Sequence, residues 1–231
     1  MIIGLAGLSG TGKSTSLRYL DYKSTFIISC TNKQLQIPGF RRKYKKAEVV
    51  NKKPVGNWLV SNDYTTIGKW LKIIDKLRSD IKTVVVDDAN YCLSNNIMDS
   101  ALENGWDKHV VFAKNYYDLI MEASELREDL NVVFISHIIN AGTDLDEHWQ
   151  LYSSGKMLDR TVNISYFFRT KTNGNDTCRS VDGCFKDKLI EPNMQKVLDT
   201  IHNFEYGEEE EEIADDHNET NNDDNILNEA N

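Results

Sequence analysis

The stretch Gly7-Leu8-Ser9-Gly10-Thr11-Gly12-Lys13-Ser14-Thr15 follows an apolar run, Met1-Ile2-Ile3-Gly4-Leu5-Ala6, and leads into residues 14–20, which have helical character. Its spacing is that of the phosphate-binding loop: a glycine, four intervening residues and then Gly-Lys-Ser. Glycines let the backbone wind tightly around an anion with its N–H groups pointing inward, and the N-terminus of the following helix adds positive potential. A glycine-rich turn formed by chance is the alternative. The order of strand, loop, Lys-Ser and helix favours a site for a nucleoside triphosphate.

Two side chains of this loop have expected chemical roles. The Lys13 ammonium can reach the β- and γ-phosphates, and the Ser14 hydroxyl can ligate Mg²⁺. The backbone around them supplies the N–H donors that surround the phosphates. The predicted nucleotide-binding residues are Gly7, Ser9, Gly10, Thr11, Gly12, Lys13, Ser14 and Thr15.

Charge is unevenly distributed along the 231 residues, whose net charge is −9. From Glu205 onward there are twelve acidic residues and no Lys or Arg, which leaves a charge of +3 on residues 1–204. Such a polar, acidic segment cannot bury enough apolar surface to offset its ordering entropy. The sequence predicts one α/β domain over residues 1–204 and a disordered acidic tail over residues 205–231.

The composition also indicates in which cellular compartment the protein is expected. No apolar run approaches the ~20 residues needed to span a bilayer, and the start at Met1 lacks the charged region and cleavage site of a secretory signal. The four cysteines, Cys30, Cys92, Cys178 and Cys184, form no paired framework, and the last two lack a second pair to complete a zinc site. These features predict a soluble, cytoplasmic protein without a membrane partner.

Residues 81–88, Ile-Lys-Thr-Val-Val-Val-Asp-Asp, give the second strong pattern. The β-branched run is typical of a central parallel strand, and its two acids come at the carboxyl end, where open α/β sheets bind ligands. On its own, an apolar run ending in Asp-Asp is common. Behind a phosphate loop it predicts a Walker B strand, in which Asp87 supports Mg²⁺ directly or through water.

Residues 131–137 predict the next buried strand, which ends in Ser136 and His137. This strand should neighbour the Asp87 strand, so the ends of both should meet at one edge of the sheet. A lone histidine is usually an ordinary hydrogen-bonded side chain, which is the alternative here. Its position at the strand end favours a role for His137 in sensing the γ-phosphate.

Shorter patterns predict the rest of the β-structure. Residues 25–30 and 58–60 have the composition of strands. Residues 138–154 lack periodicity, which predicts an exposed loop. Residues 166–171 and 177–181 flank an Asn-Gly turn and can pair as a hairpin.

Helical periodicity appears in three further segments. Residues 65–79 predict a helix capped by Asp63, with Trp70 in the core. Residues 108–129 predict a long helix, and residues 193–204 predict a last amphipathic helix. The expected inner residues of the long helix are Val111, Tyr116, Leu119, Ile120, Ala123 and Leu126.

Residues 41–53 are strongly basic and contain Arg41-Arg42-Lys43-Tyr44-Lys45-Lys46 followed by Lys52-Lys53. A solvated charged hairpin and a surface that contacts a phosphate backbone are equally good interpretations. The neighbouring aromatic residues Phe40 and Tyr44 favour nucleic acid slightly, because bases can stack on their rings.

Four stretches together resemble phage-encoded ATP-binding proteins with a RecA-like core, which are related to the core-only recombinases that support single-strand annealing. They are residues 7–14, 84–90 (Val-Val-Val-Asp-Asp-Ala-Asn), 134–137 (Phe-Ile-Ser-His) and 155–159 (Gly-Lys-Met-Leu-Asp). The resemblance implies a RecA-like P-loop NTPase core with a mainly parallel sheet flanked by helices, a C-terminal β-hairpin, and the ligands ATP and Mg²⁺.

The resemblance also implies roles for single residues. Lys13 and Ser14 would bind phosphate and Mg²⁺, Asp87 would support the metal, and His137 would occupy the sensor position. Lys156 would reach the triphosphate of a neighbouring subunit in a homo-oligomer. The loop between His137 and residue 155 lies where the relatives place a DNA-contacting loop.

The sequence departs from this family at one point. RecA-like ATPases usually carry a catalytic Glu after the second strand, but residues 29–33 read Ser-Cys-Thr-Asn-Lys. Either Asp88 orients the attacking water, or hydrolysis is slow. The resulting candidate catalytic residues are Lys13, Asp88, His137 and Lys156.

The expected function is that of a DNA-dependent ATPase acting on single-stranded DNA in phage recombination, repair or replication, in the host cytoplasm. The acidic tail could recruit a basic partner from those processes. A small-molecule, nucleotide-type kinase is one alternative, although no Arg-rich lid is visible in the sequence. An ATP-binding assembly switch with little hydrolysis is another, and the missing Glu keeps it open.

Overall fold

The computed structural model describes residues 1–102, 105, 107–140, 149–151, 164–172, 179–183 and 193–206. Lys156, residues 155–159, Cys178, Cys184 and the tail from residue 207 onward lie outside the described residues, so the expectations placed on them remain predictions.

The described residues form an α/β fold around a mainly parallel sheet. The strands are β1 Ile2–Gly7, β2 Thr25–Ser29, β3 Glu48–Val50, β4 Lys53–Val55, β5 Trp58–Val60, β6 Thr83–Asp87, β7 Asn131–Asn140, β8 Trp149–Leu151, β9 Tyr166–Thr172 and β10 Arg179–Gly183. The helices are α1 Lys13–Ser16, α2 Phe40–Lys43, α3 Tyr64–Leu77, α4 Asn90–Asp99, α5 Asp107–Ser124 and α6 Met194–Tyr206.

The main sheet has the strand order β10-β9-β1-β7-β6-β2-β5, with β8 paired to β7. All neighbours from β9 to β5 are parallel, whereas β10 and β8 pair antiparallel. The register pairs Ser29 with Asp87 and Gly7 with His137. These residues therefore lie at one edge of the sheet, where the carboxyl ends of the parallel strands meet.

Apolar side chains cover both faces of the sheet. Phe26 and Ile28 of β2 pack in one cluster with α3 and α5, whereas the intervening Ile27 packs in the other with α6. This alternation is the two-residue period of a strand, and burial on both faces is typical of parallel sheets. As predicted, Trp70 is a core residue, and its ring stacks on that of Phe26 at 5.5 Å.

The structure confirms the three predicted helices with changed bounds. The Asp63 carboxylate accepts a hydrogen bond from the Thr66 backbone N–H at 2.8 Å and caps α3. Helix α5 buries Tyr116 and most of the other predicted inner residues, but Val111 is 51% exposed, so that assignment was wrong. At about 100° per residue, Val111 lies some 140° around the helix from Tyr116 and faces solvent.

Two segments differ from the sequence expectation. Strand β7 continues to Asn140 and pairs Ile138 with Leu151 of β8, so residues 138–154 are not loop throughout. The prediction that His137 ends its strand was wrong; His137 instead ends the parallel pairing of β7 with β1. Helix α4, Asn90–Asp99, was not predicted at all. Its sequence is rich in Asn and Ser, which are poor helix formers, and its main buried apolar residues are Cys92 and Leu93.

The C-terminal elements follow the prediction closely. Strands β9 and β10 form the expected hairpin, with Thr172 paired to Arg179. Helix α6 buries Met194, Val197 and Ile201. It runs to Tyr206, two residues into the predicted tail, and the Tyr166 hydroxyl donates to the Glu205 carboxylate.

The basic segment contains the short helix α2 and the β3–β4 hairpin, whose turn carries positive φ at Asn51 and Lys52. The expectation that bases stack on Phe40 and Tyr44 was wrong, because each residue is only 3% exposed. Within the described part of the chain, no helix is long and apolar enough to cross a membrane.

Candidate nucleotide-binding site

The predicted phosphate loop joins the end of β1 to the start of α1. Its two central glycines have left-handed backbone conformations, with φ of +80° at Gly10 and +92° at Gly12. A Cβ atom on Gly10 would meet nothing within 4 Å, so it is the conformation rather than crowding that favours glycine there. The Thr11 hydroxyl donates to the Leu8 carbonyl at 2.8 Å and closes the turn.

The Lys13 side chain lies across this loop and is only 5% exposed. Its ammonium donates to the carbonyls of Gly7 and Leu8, both at 2.8 Å, and Nζ lies 3.5 Å from Nδ1 of His137. Burial lowers the pKa of Lys13 to about 8, although the charges of Asp88 and Asp87 act to raise it. A lysine so placed gains strongly from an anionic ligand.

The helix after the loop is shorter than expected. Helix α1 has four residues, Lys13–Ser16, and gives way to a 3₁₀ turn, Leu17–Tyr19. Its dipole can therefore contribute little to a phosphate site. The Lys13 charge and the loop N–H groups would provide most of the attraction.

Asp87 closes β6 and is 3% exposed. The Ser14 hydroxyl donates to its Oδ1 at 2.9 Å. Burial, and then the neighbouring Asp88 charge, raise the pKa of Asp87 to about 7, against the opposing hydrogen bond from Ser14. A buried carboxyl beside a hydroxyl suits a hard cation such as Mg²⁺, which takes oxygen ligands and whose charge would stabilise the carboxylate.

No other described residues extend this pair into a cluster of three His, Cys, Asp or Glu ligands. Mg²⁺ commonly keeps several waters and is held by one or two protein oxygens together with substrate phosphates. Ser14 and Asp87 therefore fit the role of ligands that complete their site only with a nucleotide.

Asp88 has the most unusual backbone in the site. It is a non-glycine residue at φ +58°, and its side chain is largely buried. This conformation costs about 1–2 kcal/mol, and such strain clusters at functional sites. Burial acts to raise the pKa of Asp88, but the hydrogen bond from His137 and the charges of His137, Lys33 and Lys13 outweigh it and lower the pKa. The pKa of Asp88 is thus shifted in the opposite direction from that of Asp87.

His137 lies between Lys13 and Asp88. Its Nε2 is 3.1 Å from Oδ1 of Asp88. Nδ1 faces the Lys13 ammonium, so the imidazole bridges a buried cation and a carboxylate. The backbone N–H of His137 donates to Oδ1 of Asn90 at 3.2 Å, and the Tyr91 ring meets the imidazole edge-on at 6.3 Å. The ring is thus oriented by contacts on several sides.

A cavity of about 240 Å³ opens over the phosphate loop. Six of the eight predicted nucleotide-binding residues line it, whereas Gly7 and Thr11 do not. Its lining residues are Ser9, Gly10, Gly12, Lys13, Ser14, Thr15, Lys33, Gln34, Leu35, Gln36, Asp88 and His137.

A second cavity, of about 650 Å³, lies beside the first. The two share a wall made of Ser9, Lys33, Asp88 and His137. The other lining residues of the second cavity are Leu8, Thr31, Asn90, Tyr91, Ser94 and Ile138.

Sequence reasoning missed several lining residues of this site, among them Lys33, Asn90 and Tyr91. Lys33 follows β2, and its charge acts on the pKa values of Lys13, Asp87 and Asp88. The rule that ligands bind at the carboxyl ends of parallel strands could have identified Lys33. Asn90 and Tyr91 begin a helix that the sequence did not indicate.

Comparison with known proteins adds no assignment: no protein-family model and no curated protein matches the chain.

Proposed function

We propose that the protein binds ATP with Mg²⁺ over the phosphate loop and hydrolyses it. One observation carries the proposal. A buried lysine, a hydroxyl–carboxyl pair and a carboxylate–imidazole pair converge at the edge of the sheet where β1 and β6 end and where the parallel pairing of β7 with β1 stops. These are the groups that phosphoryl transfer requires for binding phosphate, holding the metal and orienting the nucleophile.

Each group has a distinct role in this proposal. Lys13 exchanges its carbonyl partners for the terminal phosphate oxygens and neutralises part of their charge. Ser14 and Asp87 hold Mg²⁺, which when bound neutralises charge on the β- and γ-phosphates. Lys33 also lines the cavity and adds a second cation.

Asp88 is the proposed general base. Its lowered pKa favours the ionised form, it lines both cavities, and it would take the role that a Glu after the second strand plays in RecA-like ATPases. His137 orients the Asp88 carboxylate through Nε2 and faces Lys13 through Nδ1. Movement of Lys13 toward phosphate would change the surroundings of His137, which suits a sensor of the γ-phosphate.

The wider proposal is a RecA-like P-loop NTPase that acts on single-stranded DNA in phage recombination, repair or replication. The strand order, the C-terminal hairpin and the basic segment support it, together with the sequence resemblance. Homo-oligomerisation, with Lys156 reaching a neighbouring triphosphate, rests on the resemblance alone.

The second cavity favours one other function, a small-molecule kinase. An acceptor hydroxyl in that cavity would lie on the far side of the shared wall, where Asp88 could take its proton. The cavity is within the ~300–1,000 Å³ that is typical of small-molecule sites.

One experiment separates these functions. ATP consumption and phosphate release would be measured alone, with single-stranded DNA, and with nucleosides or nucleoside monophosphates. An ATPase releases phosphate without an acceptor, and faster with DNA. A phosphorylated acceptor would establish the kinase instead, and ATP binding without turnover would support an assembly switch.

A further inference from the structure

Six exposed cations lie on the basic segment, residues 41–53. They are Arg41, Arg42, Lys45, Lys46, Lys52 and Lys53. Glu48 is the only acid in this segment of the sequence. Among the described residues, none of the six cations forms an ion pair with a carboxylate, whereas cations on α3 and α5 do. The segment thus presents unneutralised positive charge.

The backbone that carries these cations is held firmly. The buried rings of Phe40 and Tyr44 stack at 5.0 Å, and Trp58 meets Phe40 edge-on at 5.1 Å. Asn57 accepts from the Lys45 backbone N–H and donates to the Tyr22 carbonyl, both at 2.8 Å. A ligand that binds the cations therefore needs to order side chains only, which lowers the entropy cost of binding.

Close packing also holds the middle of the segment against the chain that follows the β3–β4 hairpin. Gly56 has φ +78°, and a Cβ atom there would lie 2.2 Å from the Lys46 carbonyl oxygen. The chain after the hairpin consequently passes directly against the stretch that carries Lys45 and Lys46.

The basic segment also lies close to the nucleotide cavity along the chain. Residues 33–36 line that cavity, and Ile37 and Leu35 are buried in the same cluster as Phe40 and Tyr44. The Phe40 backbone N–H donates to the Ile37 carbonyl at 3.0 Å, so the connection is a tight turn. The start of the basic segment is thus joined to the wall of the nucleotide cavity by a short, packed stretch of chain.

We propose that the basic segment binds the phosphate backbone of single-stranded DNA. This inference rests on the proposed function and specifies where its DNA substrate binds. A polyanion supplies the partner charges that the six cations lack. Because the neighbouring aromatic rings are buried, contact is through phosphates rather than base stacking, and binding is independent of base sequence and strongly dependent on salt.

The size of the salt effect gives a quantitative test. For single strands the slope of log K against log salt is about −0.7 per phosphate contact. The test variant replaces Arg41, Arg42, Lys45 and Lys46 with Ala. The matched control replaces four exposed cations of α3 and α5, Lys69, Lys72, Lys76 and Lys114, with Ala. Both variants lose the same charge.

The experiment measures the affinity of each full-length protein for a fluorescent oligothymidylate over a range of salt concentrations. ATP affinity is measured in parallel. We expect the slope of the test variant to be smaller in magnitude than that of wild type by about 3, which corresponds to four phosphate contacts. Its affinity at low salt should fall at least tenfold, whereas the control should keep the wild-type slope. ATP affinity should be unchanged, so failure of the DNA surface is distinct from failure of ATP binding.

Three outcomes with the full-length proteins would overturn the proposal. They are equal losses in test and control variants, no loss in either, and binding to phosphatidylserine vesicles through these residues in place of oligothymidylate. If the full chain binds no DNA, the protein ending at Tyr206 decides the question. If the truncated protein binds DNA with the expected slope, the acidic tail is a competitor and the basic segment is supported as the DNA-binding surface. If the truncated protein also binds no DNA, the proposal is refuted.

Discussion

Nε2 of His137 lies 3.1 Å from Oδ1 of Asp88, a residue held at φ +58°. The neighbouring carboxyl, Asp87, has a different partner, the Ser14 hydroxyl. The two adjacent acids thus have different surroundings, and their pKa values are shifted in opposite directions. We interpret this difference as a division of work, with Asp87 on the metal and Asp88 on the nucleophile.

Asp88→Asn should lower ATP turnover by at least about 100-fold and leave nucleotide affinity intact, because Asn tolerates a left-handed backbone but cannot accept a proton. Asp87→Asn is the matched variant and should instead weaken the Mg²⁺ dependence of binding and turnover. Steady-state phosphate release and equilibrium nucleotide binding would be compared. Unchanged turnover in Asp88→Asn would exclude Asp88 as the general base.

Lys33→Ala should lower turnover by about ten- to hundredfold, since one charge-assisted contact contributes about 1.5–3 kcal/mol. Stability should hardly change, because the side chain is exposed. Lys33→Arg keeps the charge and should retain part of the activity. If Lys33→Ala and Lys33→Arg both behave as wild type, Lys33 does not contact the nucleotide.

Asp63→Ala should lower the free energy of unfolding by about 1 kcal/mol near neutral pH through loss of the α3 cap. The hydrogen bond from the Thr66 side chain lowers the pKa of Asp63 despite partial burial. The contribution of the charged form is therefore present above the unfolded pKa of about 4 and is lost as pH falls through the folded value.

Urea unfolding at neutral and acidic pH would test this dependence. Asp63→Asn keeps a capping side chain without a titrating group, so its difference from wild type should shrink at acidic pH. A constant difference at all pH values would contradict the assigned cap.

Truncation after Tyr206, where α6 ends, should tighten binding to single-stranded DNA most at low salt. The removed residues carry eleven acids and no Lys or Arg, and they compete with DNA for the basic segment. The gain should shrink as salt screens both tail and DNA. Equal affinities of the full and truncated chains at low salt would leave the tail without this role.

The sequence predicted the parts of the site that depend on the spacing of motif residues and on the pattern of apolar residues along strands. The phosphate loop follows from its glycines and Lys-Ser, and Asp87 and His137 follow from apolar runs that end at one edge of a parallel sheet. It could not predict the left-handed backbone of Asp88, which depends on contacts with neighbouring strands. Likewise, the place of Lys33 depends on the path of the loop after β2.

Other errors have similar causes. Phe40 and Tyr44 lie in a basic sequence, and only packing against Trp58 shows that they are core residues. The pairing of β8 with β7 joins residues that are separated by a segment without periodicity. Local patterns carry no information on such non-local contacts.

Binding of ATP with Mg²⁺ to Lys13→Ala is the most direct test of the central claim. Lys69→Ala, which removes an exposed cation of α3, is the control, and thermal unfolding would establish that both variants are folded. We predict that wild type and control bind ATP in a Mg²⁺-dependent manner and that Lys13→Ala loses at least about tenfold in affinity. Equal affinity in a folded Lys13→Ala protein, or no ATP binding by the wild type, would contradict the account.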